Sequence, residues 1–276
     1  MKAIFPEDQN IKHPDRSILT IYTGPEHFSF SWYNPEEAGS YFYKELMSEN
    51  HSDAFSIFKE AFFEQTFFSL PFRKVWIMTR TPHFLFIPHS FDKDKYREDF
   101  VHFLLSDDQQ GITLTGSVAS TGITVLYQMP EDIHHFMLRS FAKPEFIHYS
   151  APLIAYFLRQ NQKLNSRQMV VDLQEKGLDI FCFSRKTFLL GNYFPCKGLS
   201  DALYYILFTW KQLQMDQLND CLHIVGDTVF KEELIGKLAL YLQQIQYPVI
   251  PSEIYFEGVN TDRIPFELAL LSSCEL

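Results

Sequence analysis

One order of strand and helix signals occurs twice along the chain, so whatever fold it adopts must contain the same unit twice. Ser17-Ile18-Leu19-Thr20-Ile21 runs into a turn at Gly24-Pro25 and returns through His27-Phe28-Ser29-Phe30-Ser31-Trp32, which alternates as a half-buried strand does. In the second copy Met169-Val170-Val171-Asp172-Leu173 turns around Glu175-Lys176-Gly177 and returns through Leu178 to Ser184. Matching Ile18 to Val170 sets an offset of 152 residues. A third strand is predicted at 40–43 and again at 187–194. Each is followed by a helix with a Ser cap and Asp in its first turn, Ser52-Asp53-Ala54 and Ser200-Asp201-Ala202.

Buried strands follow at Lys74–Thr79 and Cys221–Gly226, then helices at about 93–105 and 231–244. The first copy closes through 112–118, 122–128 and a helix at 131–141, the second through 247–256 and a helix at 264–273. The shared order is β-β-β-α-β-α-β-α, an α/β class with a mixed sheet in each copy. The predicted organisation is a first domain at 1–145, a connecting helix and linker at 146–166 with Ser150 as cap, and a second domain at 167–276. Pro82-His83-Phe84-Leu85-Phe86-Ile87-Pro88 has no counterpart and is expected as an extra edge strand bounded by prolines, either open to strand addition by a partner or a second copy, or extending the first sheet with its side chains packed on the helix at 93–105.

Strands feeding alternate helices twice over, with three antiparallel strands at each start, resemble the duplicated ribonuclease-H-like domains of the actin-like ATPase superfamily. The stretch Thr79–Pro88 and His148-Tyr149-Ser150-Ala151-Pro152-Leu153-Ile154 is similar to an uncharacterised bacterial family, a domain of unknown function reported to adopt this fold. The resemblance implies ATP held by both hairpins, with an acid and small residues at each. Here Thr20 stands for the first acid and Tyr22 for a small residue, while the second hairpin keeps Asp172 but carries Gln174 at a glycine position. At the adenosine segment Gly226 is kept and Asp227 replaces the second glycine, setting a carboxylate against a phosphate-bearing ligand.

The resemblance therefore implies a non-catalytic binding or scaffold protein with degenerate nucleotide motifs and no cofactor. The alternative is a weak ATP-binding or ATP-hydrolysing protein, in which Thr20, Thr23, Gly24, Asp172, Gly177, Gly226 and Asp227 would hold ATP and Mg²⁺. The cleft is expected to be lined by Thr20, Tyr22, Gln174, Gly226 and Asp227, with Asp172 an exposed hairpin residue. Asp172 and Asp227 as a nuclease metal pair would need a third acid and a basic approach for nucleic acid, against a net charge of -10.

Other chemistry is thinly represented. No two histidines have metal-ligand spacing on one helix face, and no Walker loop, nucleophile elbow or dinucleotide fingerprint occurs. The acidic Met1–Asp8 lacks a signal peptide's apolar run, no apolar stretch reaches membrane-spanning length, and Cys182, Cys196, Cys221 and Cys274 are scattered. These point to reduced thiols and a cytoplasmic protein without membrane insertion. Phe58, Phe62, Phe63, Phe67 and Phe68 crowd one helix face too closely for all to be buried. A protein partner or a homo-oligomer is the expected mode of action, through Phe84–Ile87 of the inserted strand.

Overall fold

Two five-stranded sheets of one strand order carry the duplication. The computed structural model describes residues 13–24, 28–46, 54–92, 96, 99–102, 111–118, 121–161, 166–185, 187–250 and 264–273. The first half supplies β1 (Ile18–Thr23), β2 (Phe28–Tyr33), β3 (Phe42–Leu46), β4 (Lys74–Thr79), β5 (Phe84–Pro88), β6 (Ile112–Val118), β7 (Ile123–Met129) and β8 (Glu145–His148). The second supplies β9 (Arg167–Leu173), β10 (Gly177–Ser184), β11 (Thr187–Pro195), β12 (Cys221–Gly226) and β13 (Gln244–Gln246). The sheet orders are β3-β2-β1-β4-β8 and β11-β10-β9-β12-β13. In each sheet the first hairpin is antiparallel and the central strands run parallel to their neighbours on the other side.

The helices are α1 (Ala54–Glu64), α2 (Glu131–Ser140), α3 (Ser150–Asn161), α4 (Leu199–Gln212), α5 (Lys231–Leu238) and α6 (Phe266–Ser273). They cover both faces of the sheets, which is why β1 and β9 read as near-continuous apolar runs. Phe55 and Phe58 of α1 stack on Phe28 of β2. Phe58 and Phe68 are buried, Phe62 and Phe67 pack against the same core, and only Phe63 of that aromatic run is exposed. The run is core, with one residue left over. No helix among the described residues is long and apolar enough to cross a membrane.

Several boundaries differ from the sequence expectations. The insertion is larger than 82–88: β5 pairs with β7, and β7 with β6, as a separate three-stranded antiparallel sheet. Segments 112–118 and 122–128 thus belong to the insertion, and the fifth strand of the first sheet is β8, where the connecting helix was expected to start. That helix starts at Ser150 instead. Of the helix expected at 93–105, only Tyr96 and 99–102 are described, and they are helical; the counterpart of α5 is α2. The second Ser-Asp-Ala helix is capped at Gly198, with Asp201 accepting from the Lys197 backbone N–H at 2.9 Å. Ser52, Asp53, most of 247–256 and Cys274 lie outside the described residues. Cys182, Cys196 and Cys221 are buried free thiols.

Phe84 and Phe86 do not await a partner. Phe86 meets Phe188 of β11 and Phe181 of β10, and Phe84 meets His148 and Tyr149. Gly191 lets this happen, because a Cβ there would stand 2.5 Å from the Phe86 ring. The insertion therefore packs on the second sheet. A continuous core joins Tyr22, Trp76 and Met78 of the first sheet, Val125 and Tyr127 of the insertion, Leu153 and Phe157 of α3, Val170 and Phe181 of the second sheet, and Leu268 and Leu270 of α6. The two halves share one core instead of meeting across a hinge.

Candidate functional site

Parallel strands β4, β9 and β12 end at a cleft of about 850 Å³ between the halves, the place where open α/β sheets bind ligands. The register of the two hairpins shows which residues correspond there. Tyr22 pairs with Ser29 and Asp172 with Asp179, and both hairpins close around loops of the same length, which makes the offset 150 and not 152. Tyr22, and not Thr20, is the counterpart of Asp172. By the same logic Arg80, which follows β4, corresponds to Asp227, which follows β12.

Asp172 and Asp179 stand directly opposite each other on adjacent strands, a cross-strand pair of like charges that is unfavourable by itself. Arg80 resolves it. Its guanidinium is ion-paired with Asp172, lies 3.4 Å from Asp179 and bonds Glu267 of α6 at 3.0 Å. Tyr22 donates its hydroxyl to Glu267 at 2.5 Å, Gln174 donates to Asp179, and the Tyr149 ring lies 4.6 Å under the guanidinium. The backbone N–H of Arg80 donates to Thr23 O at 2.8 Å, anchoring the side chain at the end of the first sheet. One cation from the first half thus holds three carboxylates from the second.

Three carboxylates against one guanidinium leave an excess of negative charge on side chains that are almost fully buried at the cleft floor. Burial raises the Asp172 carboxyl to about 7 and Asp179 to about 6, with Arg80 opposing the rise in both. The Tyr22 and Tyr149 hydroxyls are pushed well above their ordinary value by burial, so they stay protonated donors. His148, buried and near Arg80, is held well below 6.5 by burial first and the guanidinium second; Ser150 Oγ lies 2.7 Å from its Nδ1. The cluster is a neutral-to-anionic ion network tying β4 to β9, β10 and α6.

Tyr22, Gln174, Gly226 and Asp227 line the cleft as expected, but Thr20 is buried within β1 and does not. Asp172 is 1% exposed, which corrects the expectation of an exposed hairpin residue. Thr23 is also buried, its hydroxyl 3.5 Å from that of Thr79, and Gly24 follows at the strand end. At Gly177 a Cβ would stand 2.4 Å from the Tyr193 hydroxyl, so that ring covers the hairpin whose backbone should face phosphate. Gly226 has φ +72°, and a Cβ there would meet Leu173 O at 2.2 Å. Asp227 is exposed, 3.9 Å from Lys231, whose Nζ also donates to Gly226 O at 2.8 Å. Asp172 and Asp227 thus have separate cationic partners, and the described residues hold no group of three or more His, Cys, Asp or Glu placed to bind a metal.

Arg80, Asp179 and Glu267 carry the site, and sequence reading passed over all three. A signal was present in Asp179, an acid set inside the apolar run Leu178–Phe183. A buried acid needs a buried partner.

Residues 6–245 match the family model described as protein of unknown function (DUF3822). Among solved structures, a protein from Bacteroides thetaiotaomicron with an actin-like ATPase fold and unknown function superimposes with a TM-score of 0.83 at 25% identity, covering 96% of this chain and 99% of that one. The PilM-PilN type IV pilus biogenesis complex contains a chain similar at a TM-score of 0.55 and 11% identity, covering 92% of this chain and 96% of that one. No functionally curated protein matches the sequence. The fold is thus the actin-like, ribonuclease-H-like one.

Proposed function

The chain belongs to the DUF3822 family of proteins of unknown function, and on that premise we propose that it is a non-catalytic binding or scaffold protein whose cleft is closed to nucleotide chemistry by an internal ion network. The observation that carries this reading is Arg80. The one acid kept from the nucleotide pattern, Asp172, has its Oδ2 ion-paired with that guanidinium, so its charge is set against a cation of the protein itself. The cleft floor adds Glu267 and its rim Asp227, so an incoming triphosphate meets carboxylates where the superfamily resemblance calls for small residues.

Contact with other protein is the use this reading assigns to the fold, and a chain of the same fold stands in the PilM-PilN type IV pilus biogenesis complex. The test is thermal unfolding with ATP, ADP or GTP and Mg²⁺ at 100 times a micromolar-range Kd. A binder at that excess stabilises the folded state by about 2.7 kcal/mol, which is easily read. The expected result is no shift and no phosphate release. A thermal shift, or hydrolysis abolished by Asp172→Asn, would establish the nucleotide-using alternative instead.

A further inference from the structure

We propose that two copies of this chain pair antiparallel along the outer edge of β11, joining their second sheets across a two-fold axis near Gly191. The inference deepens the reading of a contact protein and rests on it. Among the described residues β11 pairs only with β10, so its other edge presents unpaired backbone donors and acceptors. It is the longest strand among the described residues, nine residues reading TFLLGNYFP without a single charge. Its counterpart β3 is five residues long and carries Lys44 and Glu45, the usual protection of an exposed edge. One copy of the duplicated unit is guarded at this edge and the other is not.

The edge continues into an aromatic shelf on α4. Phe194 of β11 stacks on Tyr205 at 4.7 Å, Tyr205 meets Tyr204 at 5.4 Å, and Tyr204 stacks on Phe208 at 5.5 Å. On the opposite face Phe86 packs over Gly191, which backs the strand and holds it extended. Strand addition across a two-fold would set the two copies of β10 about 14 Å apart, three strand spacings, with an α4 lying over each on the same face. That separation suits two helices whose facing side chains are aromatic.

A second copy fits this surface for two reasons. An uncharged strand paired with itself brings no like charges together, whereas most of a chain with net charge -10 repels its own kind. Tyr204 is 59% exposed, Phe208 45% and Leu189 40%. Burying these three on both copies removes roughly 600 Å² before the strand backbones are counted, against the roughly 1,000 Å² that a specific interface needs.

The test is sedimentation equilibrium of the full chain, with Leu189→Lys/Asn192→Lys and, separately, Tyr204→Asp/Phe208→Asp. The wild type is expected at twice its monomer mass of 32.5 kDa, and each variant is expected to weaken association at least tenfold while unfolding at the same temperature as dilute wild type. Hydrogen exchange on the wild type alone covers the case of a misfolded variant: amides of β11 should slow with rising protein concentration. A wild-type monomer at on the order of 100 µM, where only Kd values weaker than that escape notice, would overturn the proposal. So would a dimer that survives both variants, or exchange in β11 that ignores concentration. Nucleotide-induced stabilisation would instead remove the contact reading on which the proposal rests, and a monomer without nucleotide binding would leave that reading standing.

Discussion

Replacing Arg80 with methionine asks whether the ion network locks the two halves together. Methionine keeps much of the unbranched stem and removes the guanidinium that lies over the Tyr149 ring, with its charge and its donors. Asp172, Asp179 and Glu267 are then left buried, at 1%, 1% and 2% exposure, without a cation. Breaking a buried ion pair by removing one partner costs about 3–5 kcal/mol. Because burial has already raised Asp172 to about 7 and Asp179 to about 6, the freed carboxyls can take up protons, so the loss is largest at pH 8 and smaller at pH 5.5. Unfolding entropy near 2.1 cal/mol/K per residue gives about 0.6 kcal/mol/K for a chain of 276 residues, so the expected fall in Tm is about 5–9 °C at pH 8. Calorimetry measures it, and the core shared by both halves predicts a single transition before and after the change. Adding Asp172→Asn should recover part of the loss, since the second change removes the orphaned charge, with a coupling of about 0.5–3 kcal/mol. A loss below about 1 kcal/mol, or strict additivity of the two changes, would refute the lock.

The pH dependence carries its own sign. Asp172 and Asp179 hold protons in the folded protein that the unfolded chain releases near pH 4, so their contribution is full below that pH and is lost as pH rises through about 6 to 7. The wild type should therefore lose stability relative to Asp172→Asn between about pH 4 and 7 and run level with it above; chemical denaturation across this range checks it, and a difference of the opposite slope would mean that Asp172 is ionised throughout. Gly226→Ala sets a methyl against Leu173 O and Asp172 Oδ1 in a left-handed backbone, and should cost at least 1–3 kcal/mol in the same assay. An unchanged midpoint would show that β12 can shift away from β9.

The order of strands and helices, the duplication, the location of the first hairpins and the apolar stripes were all legible in the linear sequence, because period-2 and period-3.6 patterns depend on neighbouring residues alone. So were Gln174 and Asp227 at positions where the superfamily resemblance calls for glycine. Register was not legible. An offset of 150 and one of 152 preserve the same alternation of faces, and only the hydrogen-bonded pairing of Tyr22 with Ser29 and Asp172 with Asp179 chooses between them. The extent of the insertion was hidden for a similar reason: β6 and β7 carry ordinary strand patterns, and nothing local says that they leave the main sheet for one of their own. The site itself was decided by tertiary structure. Arg80, Asp172, Asp179 and Glu267 are spread over 187 residues of chain and become one network only when both sheets and α6 converge. Whether a charge is exposed or buried against its partner depends on which segments fold over it, and that is a property of the assembled core that no stretch of the sequence holds by itself.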